Sequence, residues 1–527
     1  MNLVRATSTI GGLTLVSRVL GMVRDMLMAR FVGAGLASDA FLIAWRLPNL
    51  FRALFAEGAF AAVFVPLFNR TMAEAEKEQH EAGLVAAREF ASQVLSVLFP
   101  FLVIFTALMM VAAAPIVWAM TGGFPDGGAE KFNLAVHLTR ITFPYLALIS
   151  LVSLLGGVLN SLDRFWVNAA APVLLNICMI VALLFFRGST PLATAETQAI
   201  AVTISGAMQL AWLVWSCRQA GVALALRRPR LSPKVRQMLA LIGPAALGQG
   251  AIQFNLLIST SLAARFLPQG AVSYLYYADR LNQLPLGLIG IGVGTAILPT
   301  LSRHIGGGND AAAAHTQNRA LELSLLLAMP AAVALTVAAT PIVRGVFEHG
   351  VFTAIDTMGT AATLAAFSLG VPAYVLIKVL TPGFYARQDT KTPVRIAMAS
   401  MLVNLVGNLL SVLVLKTGFV GIALSTAAAA WVNMLLLYWT LHRRDHMRLD
   451  ARMRRNGLRI ILASLAMGVA LWFGSELFDA HMARGFWERI VALGLLCGGG
   501  AAVYAIAALA LGAVSLSELR AQFSRKK

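Results

Sequence analysis

The 527-residue sequence predicts an all-α polytopic membrane protein of about 14 transmembrane helices, grouped as six, six and two. The prediction rests on composition, on recurring apolar runs and on an internal echo. Hydrophobic residues make up 58% of the chain and charged residues 13%, with a mean hydropathy of +0.76. Soluble domains carry about 45–50% and about 25% respectively, so this surplus needs lipid as its solvent.

The apolar runs are about 20 residues long, enough to cross a hydrocarbon core of about 30 Å. Every backbone amide in lipid must be satisfied within the protein, and continuous runs do that as helices. Polar, proline and glycine punctuation places span centres near residues 20, 55, 104, 146, 177, 206 and 250. A second series follows near 288, 330, 368, 404, 430, 465 and 500. Residues 1–10 show neither a charged leader nor a cleavage site, so the first run reads as a retained span.

Alternate connections differ in basicity. One set holds Arg70, Lys77 and Arg88, then Arg164, then residues 218–236, then Arg303 and Arg319. It continues with Arg387, Lys391 and Arg395, residues 443–459, and the tail Arg520, Arg525, Lys526 and Lys527. The opposite connections, near 122–132, 188–198, 268–271 and 348–353, are almost free of them. The basic side is therefore expected to be cytoplasmic, with both termini on it. Topology and attraction to anionic headgroups thus explain most of the net charge of +18, and a nucleic-acid partner is excluded. Residues 218–236 are expected as a cytoplasmic basic linker, either a solvated topogenic loop or a short interfacial helix, and 442–459 as a basic segment lying on the membrane surface.

The chain echoes itself at an offset of about 228–237 residues, the pattern of a parallel-repeat transporter. Phe64-Val65-Pro66 pairs with Ile297-Leu298-Pro299, Arg30-Phe31 with Arg265-Phe266, Pro144 with Pro372, and Asn176 with Asn404. The expected division is 1–217 (spans 1–6), 218–236 (linker), 237–442 (spans 7–12) and 443–527 (spans 13–14 with a cytoplasmic tail). Cys178, Cys217 and Cys497 lie far apart in or beside apolar runs and read as core fillers, not as a disulfide or metal set.

Ionisable groups inside a membrane are costly and mark function by default. The first span carries Ser17, Arg18, Arg24 and Asp25; the second carries Asp39, Arg46, Asn49, Arg52 and Glu57 around Pro48. Asp279 and Arg280 hold a comparable place in the second half. Some of these would form internal pairs, such as Arg24 with Asp25 or Asp39 with Arg46. Arginine nevertheless outnumbers carboxylate, and the planar guanidinium suits bidentate capture of phosphate. An anion-binding cavity follows, and the cargo reads as a large anionic lipid. Enzyme signatures are missing: no HExxH, GxSxG or P-loop occurs, and Gly306-Gly307-Gly308 stands alone.

The stretch from Ser17 to Phe60, with Arg46-Leu47-Pro48-Asn49-Leu50 and Phe55-Ala56-Glu57-Gly58-Ala59-Phe60, resembles the bacterial lipid II flippase family MurJ (MviN). Tyr276-Tyr277-Ala278-Asp279-Arg280 and Pro382-Gly383-Phe384-Tyr385-Ala386-Arg387-Gln388-Asp389 carry the same resemblance. It implies the fold of the multidrug/oligosaccharidyl-lipid/polysaccharide (MOP) exporters, two six-span lobes forming a V plus two C-terminal spans beside a groove for the lipid tail. It also implies a cationic cavity that depends on Arg18, Arg24, Asp39, Arg52, Glu57 and Arg280, with Ser17, Asp25, Asn49 and Ser273 at cavity positions. Arg46 and Asp279 join that set from the residue pattern.

Some relatives hold sodium through acidic residues; here the matching region offers Asn255, Asn404, Asn408 and Thr426, which are neutral. No cofactor is expected beyond dependence on the membrane potential or a monovalent cation, the former worth about 2.3 kcal/mol per charge per 100 mV. The expected partners are lipid II, membrane lipids and the cell-wall synthesis machinery, in the bacterial inner membrane. Alternative readings are export of another polyprenyl-linked glycan or of drugs, a glycosyltransferase, and a scaffold. Drug exporters favour carboxylate-lined cavities, a glycosyltransferase needs a large acidic loop, and a scaffold needs no arginines in the membrane.

Overall fold

The computed structural model describes residues 3–514, except 57–58, 79–81, 126–127 and 483. All regular structure among the described residues is helical. The chain opens with α1 (Leu3–Val32), α2 (Leu36–Ala56), α3 (Ala59–Glu78) and α4 (Ala82–Val111). Next come α5 (Ala113–Thr121), α6 (Gly128–Thr142), α7 (Pro144–Ser161), α8 (Phe165–Phe185) and α9 (Pro191–Gln219). The long α10 (Pro233–Phe266) and α11 (Ala271–Gly306) precede α12 (Asp310–Val337), α13 (Ala339–Phe347) and α14 (Ala354–Ser368). The chain closes with α15 (Val371–Tyr385), α16 (Lys391–Leu409) running into a π turn, α17 (Gly418–Arg443), α18 (Ala451–Met482) and α19 (Phe486–Ala510).

Ten segments among the described residues are long and apolar enough to cross a bilayer. Each contains one of the expected span centres; the other four centres fall in α1, at the end of α2, in α10 and in α11. The span centred near 146 is two helices, α6 and α7, which meet at Pro144, and the span near 368 is likewise α14 and α15, with Pro372 in the first turn of α15. Proline lacks the amide that would continue the ladder, so the break recurs where the proline recurs. Capping sharpens other starts: Thr190 and Ser232 accept from Ala193 and Val235 with proline next in each case.

One expectation about connections narrows and another changes. Residues 222–232 form no helix. Pro229 and Pro233 remove donors and bias the preceding residues away from the helical region. The strand-like segment is pinned instead: Arg227 N–H donates to Ser96 Oγ at 2.8 Å, and Arg88 Nε donates to the Ala223 carbonyl at 2.6 Å. At the other basic segment, Arg452, Arg454, Arg455 and Arg459 belong to the opening turns of α18 itself. Cys217 is buried and Cys178 half-buried, but Cys497 is exposed and so is no core filler.

The chain divides into two compact units, residues 1–272 with 349–352, and 273–348 with 353–527. In the first, α8 packs on α1 and α9, α7 on α4 and α9, and α5 and α4 on α6. In the second, α16 packs on α17, α15 on α12 and α17, and α13 and α12 on α14. Apart from the α1–α8 contact, the second set repeats the first in order: α5 and α13 have nine residues each, and α6 and α14 fifteen each. The internal echo is therefore an echo of packing as well as of sequence. Phe60, Phe64, Phe68 and Phe90 stack in the first core, while Leu301, Ala373, Val379, Phe384 and Leu441 fill the second. The appended pair α18 and α19 closes on Met467, Leu471 and Leu496 and keeps Leu465, Trp472, Phe473 and Val491 exposed. An apolar face of that extent belongs in lipid.

Candidate functional site

Arg24 and Asp25 are sequence neighbours, and on an ideal helix their side chains leave about 100° apart. Burial brings them together. Arg24 is 7% exposed and Asp25 1%. The guanidinium curls so that Nε and Nη2 donate to Asp25 Oδ1 at 3.0 and 2.7 Å. Its Nη1 donates to Asn176 Oδ1 on α8 at 3.1 Å. Asn176 then donates through Nδ2 to the Ser17 carbonyl at 3.0 Å. The fork is thus aimed from both sides, which fixes a cation within the α1–α8 contact. Ser17, Arg24 and Asp25 come together as the sequence suggested. Asn176, visible beforehand only as a repeat position, is the group that joins them.

Asp39, the first-turn acid of α2, takes a partner other than Arg46. Lys131 of α6 donates to Asp39 Oδ2 at 2.9 Å, and the Gly270 N–H donates to the same oxygen at 2.8 Å. Lys131 and Asp39 are 2% and 1% exposed, and the ammonium lies 4.6 Å from the centroid of Phe124. Arg46 donates instead to the Leu256 carbonyl on α10 at 2.9 Å, which quiets a helix carbonyl inside the unit. Sequence reading passed over Lys131. The available signal was its position: it is the lone cation in a connection otherwise free of basic residues.

Arg52 Nε donates to Asn49 Oδ1 at 2.9 Å, one helical turn away, so Asn49 orients Arg52. Arg18 is exposed on α1. Glu57 lies outside the described residues. In the second unit Ser273 is fully buried, while Asp279 and Arg280 are half-buried on α11, with Gln283 donating to Asp279. Asn404 donates to Thr426 Oγ1 at 3.0 Å and accepts from Asn408 Nδ2 at 2.8 Å, so three of the neutral residues form one chain, with the two asparagines buried and Thr426 half-buried. Asn255 sits in the first unit, where its carbonyl accepts from Ser259 at 3.0 Å.

Charged side chains held between helices that are apolar on their outer faces define a polytopic membrane protein. Solved structures share the fold: an inward-facing multidrug resistance MATE family transporter of the MOP superfamily matches with a TM-score of 0.65. That likeness is at 15% identity and covers 81% of this chain and 94% of the other. The chain belongs to the lipid II flippase MurJ family, whose model matches residues 28–493. A probable lipid II flippase MurJ from Rhizobium tropici is 41% identical and covers 100% of this chain and 98% of its own length. A solved lipid II flippase MurJ in an inward closed conformation is 25% identical, with a TM-score of 0.75 over 95% of this chain and 97% of that one. The family is one of transporters, not enzymes.

Proposed function

We propose that this chain flips the lipid-linked peptidoglycan precursor lipid II from the cytoplasmic to the periplasmic leaflet of the bacterial inner membrane by alternating access. Both termini are cytoplasmic in this reading, as the basic connections dictate. Arg18, Arg24 and Arg52 of the first unit capture the diphosphate, Arg280 is the guanidinium that the second unit offers to an anionic headgroup, and Asp39 and Glu57 neutralise cations when no cargo is bound. Ser17, Asp25, Asn49, Arg46, Ser273 and Asp279 orient that set. Membrane potential acting on the charges supplies the drive.

The observation that carries the reading is Arg24. It is a buried guanidinium aimed by Asp25 and Asn176, in a chain whose family match spans residues 28–493. A phosphate oxygen that took the place of Asp25 Oδ1 would receive the same pair of charge-assisted bonds from Nε and Nη2. Depletion of the protein in cells without a parallel flippase is expected to strand lipid II in the inner leaflet, read by an outer-face probe of its headgroup. Normal appearance of lipid II outside would reject the function.

A further inference from the structure

We infer that Lys131 is a positioning residue that acts through Asp39 as a charged latch. It holds one end of the first unit shut, and its charge keeps that closure reversible. The inference rests on the transport reading for what the latch gates.

The latch is built from segments far apart in sequence. Asp39 opens α2, Lys131 lies in the first turn of α6, and Gly270 lies between α10 and α11. One carboxylate oxygen gathers all three, at 2.9 and 2.8 Å. Phe124, itself fully buried at a left-handed φ of 52°, forms the floor beneath the ammonium. Nearby, the Val351 N–H donates to the Arg30 carbonyl at 2.9 Å. A Cβ on Gly350 would collide with that carbonyl, and its φ is +66°. Backbone thus seals this end closely; the guanidiniums of Arg187 and Arg265 lie over Phe31 and Trp118, and the Lys131–Asp39 pair is the fully buried charged element.

The connection that holds Lys131 is otherwise the basic-poor kind assigned to the outer face, so its lone lysine departs from the topological pattern. Topology does not explain it; the pairing does. Replacing a buried ion pair by apolar groups is often neutral or stabilising, because desolvation offsets the attraction. Opening hydrates both charges and recovers that desolvation. An apolar plug at the same place would instead expose its surface at every opening. The pair therefore holds the end shut at a balance that transport can tip.

This account makes a non-additive prediction. Removing one charge strands the other in the interior and springs the latch, whereas removing both restores closure. The test uses Ala34→Cys, 7% exposed between α1 and α2, in a chain with Cys178, Cys217 and Cys497 replaced by alanine. Intact cells are labelled with a membrane-impermeant maleimide. Lys131→Met and Asp39→Asn are each expected to label at least about tenfold faster than the parent, and the double variant as slowly as the parent. Lys131→Arg, which keeps the charge, should also label slowly. A single variant that labels at the parent rate, or a double variant as fast as the singles, overturns the latch. If one single variant does not accumulate, the other decides against the double. Lipid II flipping by the cysteine parent is scored separately, so loss of the transport reading and loss of the latch give different results.

Discussion

At matched positions of the repeat, Asn176 in the first unit accepts from a guanidinium, and Asn404 in the second bonds to an amide and a hydroxyl. Both are buried, and both sit on the helix that follows the proline-broken span. The scaffolds pack alike, through α8 on α9 and α16 on α17. What differs is the load. The first unit surrounds its asparagine with Arg24, Asp25 and Ser17, whereas the second surrounds it with Asn408, Thr426 and, along the same helices, Ser411 and Ser425. One duplicated framework thus carries a buried ion pair in one copy and neutral hydrogen bonding in the other.

Arg24→Ala is the sharpest way to break that contrast. Removing one partner of a buried ion pair costs about 3–5 kcal/mol, more than a membrane helix pair readily absorbs. The variant should lose lipid II flipping and melt earlier after purification. Arg24→Lys should recover membrane levels but little transport, since an ammonium cannot reproduce the fork. Full activity of either variant would remove Arg24 from cargo capture.

Next in size is the paired comparison of Asn176→Ala with Asn404→Ala. The first removes an acceptor from a charged donor, worth about 1.5–3 kcal/mol; the second removes neutral bonds worth about 0.5–1.5 kcal/mol each. Transport should fall several-fold more in Asn176→Ala, and the melting temperatures should keep the same order. Equal transport loss in both would mean that the units share the chemistry after all.

The smallest effect concerns the turn that ends each proline-broken span. Asp163 and Gln388 both adopt left-handed φ angles, 59° and 60°, and the next residue is Arg164 in one unit and Asp389 in the other. Thr392 and Arg444 donate to Asp389 and hold its carboxyl below the usual range. A depressed pKa gives stability that is present above the unfolded value, near about 3.9, and is lost as pH falls below it. Asp389→Asn should therefore destabilise by about 0.5–1 kcal/mol at pH 7, with no change down to about pH 5. The gap to the parent should close below about pH 4 in thermal melts. A gap that persists in acid would assign the effect to the turn geometry instead of the charge.

Much of the fold was legible beforehand because lipid imposes simple rules. Apolar runs near residues 104, 177, 430 and 500 each became a helix of suitable length; Pro144 and Pro372, read only as matched repeat positions, proved to be where two spans break. Of the two readings of the linker, loop or short interfacial helix, residues 222–232 take the loop, because Pro229 and Pro233 cannot donate to a helical ladder. Within the site, Ser17, Arg24 and Asp25 could be grouped from periodicity, since they lie on one helix. Asn176 and Lys131 could not, because periodicity is silent about what another helix brings.

Sequence by itself determined that the chain spans a membrane, which of its connections are basic, that it repeats, and that its early spans carry more arginine than carboxylate. Those are properties of composition and local order. Only the tertiary structure decided the pairings: Arg24 with Asn176 and Asp39 with Lys131, the latter 92 residues apart. The physical reason is that a buried charge needs a partner, and many arrangements of the same residues could supply one. Packing of α1 on α8, and of α2 on α6, selects which of them is made.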